Sequence, residues 1–373
     1  MTALTGGAYD LLPVAFTFIL DIVALISVYI FLVLSLNIEY GYAGLPNFGK
    51  VLFVAAGAYA VGIVATPVYQ WALGVNITRD ELQAYGAISG GQVDPSIYNS
   101  LLVDQINLRL AHDPVIAIAV FLVPLVVAMA VGAALGVAVS YPAIRLRSDY
   151  LAICLLAFGE ISRIVGNNYL PFELGERLPD PFVWSGDMRS LMATLVIALF
   201  ALAVFLYARA LGKSPLCRVL RAMRDDEAAA SSFGRDTTKL RIRVLLVGSA
   251  VSALGGALYS FYTGAVIALS FDRITWTYWP YLMLILGGAG NYVGALSGCV
   301  IFVVLRRLIN LYKEALAFLP FDPAWLDYLI LGTALLLALI YRPEGFKPEE
   351  PTPTMERDEL ETLRAKSETE APS

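Results

Sequence analysis

The chain has 373 residues, 58% of them hydrophobic and 15% charged, with a mean hydropathy of +0.69; a soluble chain would carry roughly 25% charged residues. The net charge of −5 is accounted for by residues 344–373, where nine acids face four bases, so it is no sign of an acidic ligand. One histidine (His112) and three scattered cysteines (Cys154, Cys217 and Cys299) exclude a disulfide framework and HExxH metal chemistry, and leave little room for a Ser-His-Asp triad. No basic patch interleaved with aromatic residues lies outside the flanks of the apolar runs, which argues against a nucleic-acid partner.

The long apolar runs make the bilayer the expected solvent. A membrane-crossing helix takes about 20 apolar residues. Candidate spans fall at 11–36, 46–68, 114–141, 150–169, 190–211, 243–264, 276–288, 293–311 and 323–341. The expected fold class is therefore an all-α integral membrane protein, a polytopic bundle of about nine spans. The first 49 residues hold no Lys or Arg, whereas a secretory signal needs a basic start, so the opening run is expected to be a retained helix. At ~1.5 Å per residue the first span would be roughly 39 Å long and must tilt or protrude. It carries Asp21, for which a place on a transport path and a packing role stay equally open.

Residues 69–113 form a polar insertion with Gly90-Gly91 and Asp94-Pro95 and are expected to be partly ordered. In the third span, Gly132 and Gly136 are a small-xxx-small pair suited to close helix packing, as are Gly294 and Gly298 further on. The fourth span holds Glu160 and Arg163 at i, i+3. Ionisable groups there are costly and read as a neutralising pair, with the translocation path as the alternative. The seventh span is short and ends in Gly287-Gly288-Ala289-Gly290, a break between helices or a re-entrant turn. The tail, 343–373, is rich in Pro, Glu and Thr and reads as a disordered acidic segment.

Orientation follows from the bases in the loops. Segment 209–243 holds nine bases and four acids, and loop 142–149 holds Arg145 and Arg147, so both are expected in the cytoplasm. Loop 69–113 (two bases, five acids) and loop 170–189 (two bases, four acids) are expected outside. Nine alternating crossings satisfy all four, with the N-terminus outside and the C-terminus in the cytoplasm. Arg306, Arg307 and Lys313 object, because that count leaves them outside.

The most informative stretch is 214–241. Ser214 followed by Pro215 is a helix start. Leu216, Val219, Leu220 and Met223 then fall on one apolar face, with Arg218, Arg221 and Arg224 largely off it, and Gly234 suits a left-handed stop. The periodicity fits either a helix resting on the membrane surface or one docking its apolar anchors in a partner's groove. Gly212-Lys213-Ser214 imitates the end of a P-loop, but Tyr207 stands where the upstream glycine is needed, so the chain is not expected to bind ATP.

The run Arg221-Ala222-Met223-Arg224-Asp225-Asp226-Glu227-Ala228-Ala229, with Gly234, resembles the cytoplasmic coupling loop of ATP-binding-cassette importer permeases. Three further blocks are similar to the larger subunit of the paired branched-chain amino acid permeases. They are Leu36-Asn37 through Gly41 to Gly44 with Phe53 and Gly57-Ala58-Tyr59; Arg145 to Arg147 with Tyr150 to Ile153 and Leu156 to Glu160; and Gly287 to Gly290 with Gly294 and Gly298. The resemblance runs from about residue 30 to 345. It departs at Asn47-Phe48-Gly49-Lys50, where the family has Ser-x-Gly-His, and in the length of 69–113.

That resemblance implies a transmembrane permease domain over 1–342 (with the 69–113 insertion and a coupling loop at 212–242), followed by the 343–373 tail. It implies a non-enzymatic, multi-pass subunit of the cell membrane. The expected partners are a second homologous permease, two cytoplasmic ATPases that hold the ATP and Mg, and an extracytoplasmic solute-binding protein. This chain itself is expected to bind no cofactor or metal. ATPase coupling would fall to Leu216, Val219, Leu220, Met223, Asp225, Asp226, Glu227, Ala228, Ala229 and Gly234. The translocation path would involve Asn37, Asn47, Gly49, Glu160, Arg163, Gly287, Gly288 and Gly290. Alternatives are a urea or short-amide importer of the same type and a stand-alone, ion-driven secondary transporter.

Overall fold

In the computed structural model the described residues are 14–84, 88–89, 92–146, 148–168, 175–312, 326–341 and 344–349. The chain is built almost entirely of helices: α1 (Val14–Leu36), α2 (Lys50–Leu73), α3 (Arg79–Ala84), α4 (Pro95–Leu110), α5 (Pro114–Arg145), α6 (Ser148–Asn168), α7 (Arg189–Gly212), α8 (Pro215–Asp225), α9 (Glu227–Ser232), α10 (Thr237–Thr263), α11 (Trp279–Gly287), α12 (Tyr292–Tyr312) and α13 (Leu326–Tyr341). Two short antiparallel pairs are also present among the described residues: β1 (Ile88–Ser89) with β2 (Gln92–Val93), and β3 (Glu176–Arg177) with β4 (Ala265–Val266). This is a polytopic all-α membrane protein.

Helix α10 is the axis of the bundle, and its composition explains why. It carries Gly248, Ser249, Ser252, Ala253, Gly255, Gly256, Ala257 and Ser260, all buried. Lipid is as apolar as leucine, so helices in a bilayer associate through close packing, which small residues permit. A Cβ on Gly57 of α2 would lie 2.0 Å from the Ala253 carbonyl oxygen, and one on Gly256 would lie 2.0 Å from that of Val54. The two backbones thus touch at two levels. Gly132 and Gly136 of α5 meet the Leu245–Ala253 face of α10 in the same way, as their spacing suggested. Gly294 and Gly298 likewise let α12 approach the Met283–Gly288 end of α11.

Among the described residues, seven helices are long and apolar enough to cross a membrane: Phe16–Tyr42, Lys50–Leu73, Pro114–Pro142, Tyr150–Asn168, Arg189–Gly212, Thr237–Thr263 and Tyr292–Leu311. The other two expected spans are shorter. The 276–288 candidate is α11 preceded by a π-turn, Ile274–Tyr278, and the 323–341 candidate is the 16-residue α13. Segment 265–290 nevertheless runs the length of α10. Its start pairs with β3 beyond the C-terminal end of α10, and the Gly290 carbonyl accepts a bond from Arg221 of α8, which packs on the start of α10.

The 69–113 insertion and the 175–189 loop meet at the end of the bundle away from α8. Asp94 caps α4 by accepting from the Ser96 and Ile97 amides, with Pro95 in the first turn. Asp104 pairs with Arg177 at 3.0 Å, Asn107 Oδ1 accepts from the Asp180 amide at 2.9 Å, and Arg189 pairs with Asp180. The two loops that charge counting assigned to one side therefore do share an end.

The bases that objected to that count are accommodated by partners distant in sequence. Arg307 pairs with Asp21 at 2.6 Å, Tyr262 donates to the same carboxylate at 2.9 Å, and the Arg306 guanidinium lies 3.6 Å above the Trp279 ring. Asp21, solitary in the sequence of its span, is thus paired in the structure. Lys313 and Arg147 lie outside the described residues.

Candidate functional site

Two polar constellations stand out, one sealed within the bundle and one at its α8 end. The sealed one begins where α1 loosens into a π-turn, Asn37–Tyr42, a form of helix frequent at functional sites. The turn presents Glu39 to Lys50 at the start of α2, 2.8 Å away, with both side chains at 0% exposure. Asn47 donates to Glu39 Oε2 at 2.8 Å, and its own Oδ1 accepts from the Gly49 amide at 3.1 Å. Lys50 Nζ also donates to Ser35 Oγ (3.0 Å) and Ser252 Oγ (3.1 Å), and the two hydroxyls lie 2.8 Å apart. Gly248 makes room for the carboxylate: a Cβ there would fall 2.0 Å from Glu39 Oε1. Three ammonium contacts, one of them to a carboxylate, are what allow a lysine to be buried at all. Sequence reading singled out Asn47 and Gly49 but missed Glu39; the signal was two opposite charges eleven residues apart in an otherwise apolar stretch.

At the other site, α8 starts as expected. Ser214 Oγ accepts from the Cys217 amide at 3.3 Å, and Pro215 follows. Its buried arc differs from the expected one. Cys217, Leu220 and Met223 turn inward onto Tyr42, Phe53, Leu155, Val244 and Leu245, whereas Leu216 is 42% exposed. Leu220 and Met223 are therefore anchors in this chain's own core. Burial pushes the Cys217 thiol above its usual range.

Arg221 and Arg224 also correct the expectation, because neither sits off the packed side. Arg224 donates to the Gly41 carbonyl at 2.5 Å and pairs with Glu349 at 2.9 Å. Arg221 donates to the Gly290 carbonyl at 3.2 Å, pairs with Glu349 at 2.6 Å and stands 5.5 Å above the Tyr42 ring. Guanidinium groups can be part-buried when carbonyls and a carboxylate meet their donors, and these acceptors come from segments far away in sequence.

The single helix expected over 215–233 is two. Asp226 (φ −151°, ψ 106°) ends α8 and caps α9, its carboxylate accepting from the Ala229 amide at 3.0 Å. Glu227 pairs with Arg241 at 2.5 Å. Gly234 adopts φ +72°, the left-handed stop expected of it, with open space where a Cβ would be. Asp225, Asp226, Glu227, Ala228 and Ala229 are exposed, and so is Phe233, at 86%. An exposed apolar ring beside an acidic turn is the feature of this loop that periodicity did not reveal.

The remaining candidates divide by place. Asn37 Oδ1 accepts from the Gly290 amide at 2.8 Å, which gathers Asn37 and the Gly287–Gly290 break at the α8 end, all buried except Ala289. Gly288 (φ +109°) and Gly290 (φ +84°) both need glycine's freedom there. Glu160 and Arg163 lie elsewhere, half-buried, paired with each other, and with Arg273 3.4 Å from Glu160. A cavity of about 580 Å³ opens between α1, α10 and α12, lined by Phe18, Tyr29, Trp276, Arg306, Arg307 and Asn310. Among the described residues no group of three His, Cys, Asp or Glu could hold a metal ion.

Comparison with known proteins bears on the whole chain. The family model described as "Branched-chain amino acid transport system / permease component" matches residues 18–339. A protein of Methanocaldococcus jannaschii named probable branched-chain amino acid transport permease protein LivM is 36% identical over 355 residues, 92% of this chain and 98% of that one. The high-affinity branched-chain amino acid transport system permease proteins LivM of Salmonella typhimurium and Escherichia coli are 25% and 24% identical, covering 88% of this chain and 69% of theirs. No solved structure matches.

Proposed function

Because the chain belongs to the branched-chain amino acid transport permease family, we propose that it is one membrane subunit of an ATP-binding-cassette importer for branched-chain amino acids. The observation that carries this reading is the relationship to a named permease along nearly the full length of both chains. In this reading a second, homologous permease completes the path, two ATPases bind ATP and Mg at the α8–α9 face, and a binding protein delivers the solute to the opposite end. The α8 end is cytoplasmic, on the strength of its nine bases against four acids in 209–243. The ATPase docks on the exposed Asp225–Gly234 turn, with Phe233 as its apolar anchor. It need only bind one permease conformation more tightly than the other to drive the cycle.

Reconstitution tests this. Proteoliposomes holding both permeases and the ATPase, with binding protein on the outer side, are expected to take up leucine only when ATP is inside. Uptake by this chain alone on an ion gradient would replace the importer reading with a secondary transporter. ATP-driven uptake of urea in place of leucine would keep the class and change the solute.

A further inference from the structure

Beyond α13, residues 344–349 do not trail away as an acidic, Pro-rich tail was expected to. The Phe346 amide donates to the Leu286 carbonyl at 3.0 Å and the Lys347 amide to that of Gly287 at 3.0 Å. Asn291 Nδ2 donates to the Pro348 carbonyl at 3.1 Å. The first two bonds satisfy carbonyls that the end of α11 leaves open, the ordinary need of a helix terminus. The fit requires glycine, since a Cβ on Gly288 would lie 2.3 Å from the Lys347 carbonyl oxygen and one on Gly345 would lie 2.5 Å from the Gly288 nitrogen. Residues 350–373 lie outside the described residues.

The segment ends at Glu349, whose two carboxylate oxygens take Arg221 (2.6 Å) and Arg224 (2.9 Å) from successive turns of α8. Those same arginines hold the Gly290 and Gly41 carbonyls, and the Gly290 amide holds Asn37. One carboxylate therefore closes a loop joining α8, the α11–α12 break and the end of α1. Both contacts are ion pairs, and the one between Arg221 Nε and Glu349 Oε1 is short without being aligned as a hydrogen bond.

We propose that residues 345–349 are a strap, and that Glu349 is a positioning residue carrying movement of α8 into the α11–α12 break and α1. This rests on the reading of α8–α9 as the ATPase-coupling face. Without the strap, α8 would still pack through Leu220 and Met223 and reach the Gly290 and Gly41 carbonyls through Arg221 and Arg224, but those two arginines would lose the carboxylate that holds them in place.

The test uses Glu349→Gln, which keeps the shape and removes the charge, in the reconstituted importer. The ATPase is expected to co-purify as before, and the leucine concentration for half-maximal uptake to stay put. The maximal uptake rate should fall roughly tenfold, the scale of one lost charge-assisted bond, and ATP hydrolysis should no longer rise when loaded binding protein is added. Glu349→Asp, which keeps the charge one methylene shorter, is expected to retain part of the uptake that Glu349→Gln loses, whereas a merely structural tail would treat the two alike. Wild-type uptake and stimulated hydrolysis in Glu349→Gln would overturn the strap. Hydrogen exchange on the purified chain reads the strap without any partner. Slow exchange at Phe346 and Lys347, lost in Glu349→Gln, is expected; fast exchange in the wild type would refute the strap even if the importer reading stands. Failure of the wild type to retain any ATPase, with those amides still protected, would instead strike the importer reading and with it the transmitting role.

Discussion

Glu39–Lys50 and Glu349–Arg221–Arg224 are both carboxylates bound to bases, yet they sit in opposite physical settings. The first pair is fully buried among α1, α2 and α10, with its lysine donating to two further hydroxyls. The second is part-exposed, with Glu349 at 26% and the arginines at 15% and 27%. A sealed pair cannot open without leaving a bare charge in a low-dielectric interior, so it fixes one arrangement. A pair at the rim can exchange its partners for water and so can break and re-form within a cycle. The first is suited to holding the bundle together, the second to moving with α8.

The contrast is sharpest where one partner of the sealed pair is removed. Lys50→Met leaves Glu39 buried and unpaired, which costs about 3–5 kcal/mol; little folded protein is expected on size-exclusion chromatography in mild detergent. Adding Glu39→Leu to that variant is expected to restore much of the yield, because an apolar pair is often as stable as the buried ions it replaces. A well-folded Lys50→Met single variant would show that the cluster is no lock.

At the rim, Phe233→Ala removes an exposed ring and no internal contact, so thermal stability is expected to change by less than about 0.5 kcal/mol. Loss of the buried ring from a partner interface is expected to cost ~2 kcal/mol or more of ATPase affinity, read by pull-down. Leu220→Ala should do the reverse, destabilising the permease by about 2–5 kcal/mol before it touches the partner.

A smaller effect is expected at the opposite end. Burial pushes the Glu176 carboxyl up to about 7, from an ordinary 4.5. The raised value means that the folded β3–β4 corner keeps a proton the unfolded chain would release. Its stability is then greatest below pH ~4.5, declines as pH rises towards 7 and stays low above that. Hydrogen exchange at 175–178 and 264–267 is expected to speed up over that window, and Glu176→Gln to abolish the trend. Least of all should come from Glu160→Gln, which breaks a half-exposed i, i+3 pair worth roughly 0–1 kcal/mol; a large loss of uptake there at unchanged stability would move Glu160 onto the path.

Much of this was legible in the sequence because it is local. Long apolar runs, the Ser214-Pro215 start, the Gly234 stop and the Gly132/Gly136 spacing each depend on residues within a few positions of one another. What was not legible depends on meetings across the chain. Arg221 and Arg224 look like solvated residues until Glu349, over 120 positions later, arrives beside them. Asp21 looks solitary until α12 brings Arg307. Leu216, Val219, Leu220 and Met223 share a stripe by periodicity, but the way α8 sits beside the Asn37–Tyr42 turn set the buried arc at Cys217, Leu220 and Met223. The Gly57–Ala253 and Gly256–Val54 approaches gave only a weak signal, since lone glycines in apolar helices have no pattern until a partner helix is known.

The claim on which the rest turns is that the α8–α9 turn, and not the far end of the bundle, meets the ATPase. Cross-linking from a cysteine at Phe233 in membranes holding the whole assembly tests it most directly, with native Cys154, Cys217 and Cys299 replaced beforehand. The expected result is a covalent adduct with the ATPase whose yield changes when ATP is added, and none from a cysteine at Ser96 of α4. An ATPase adduct from Ser96 and none from Phe233 would contradict it.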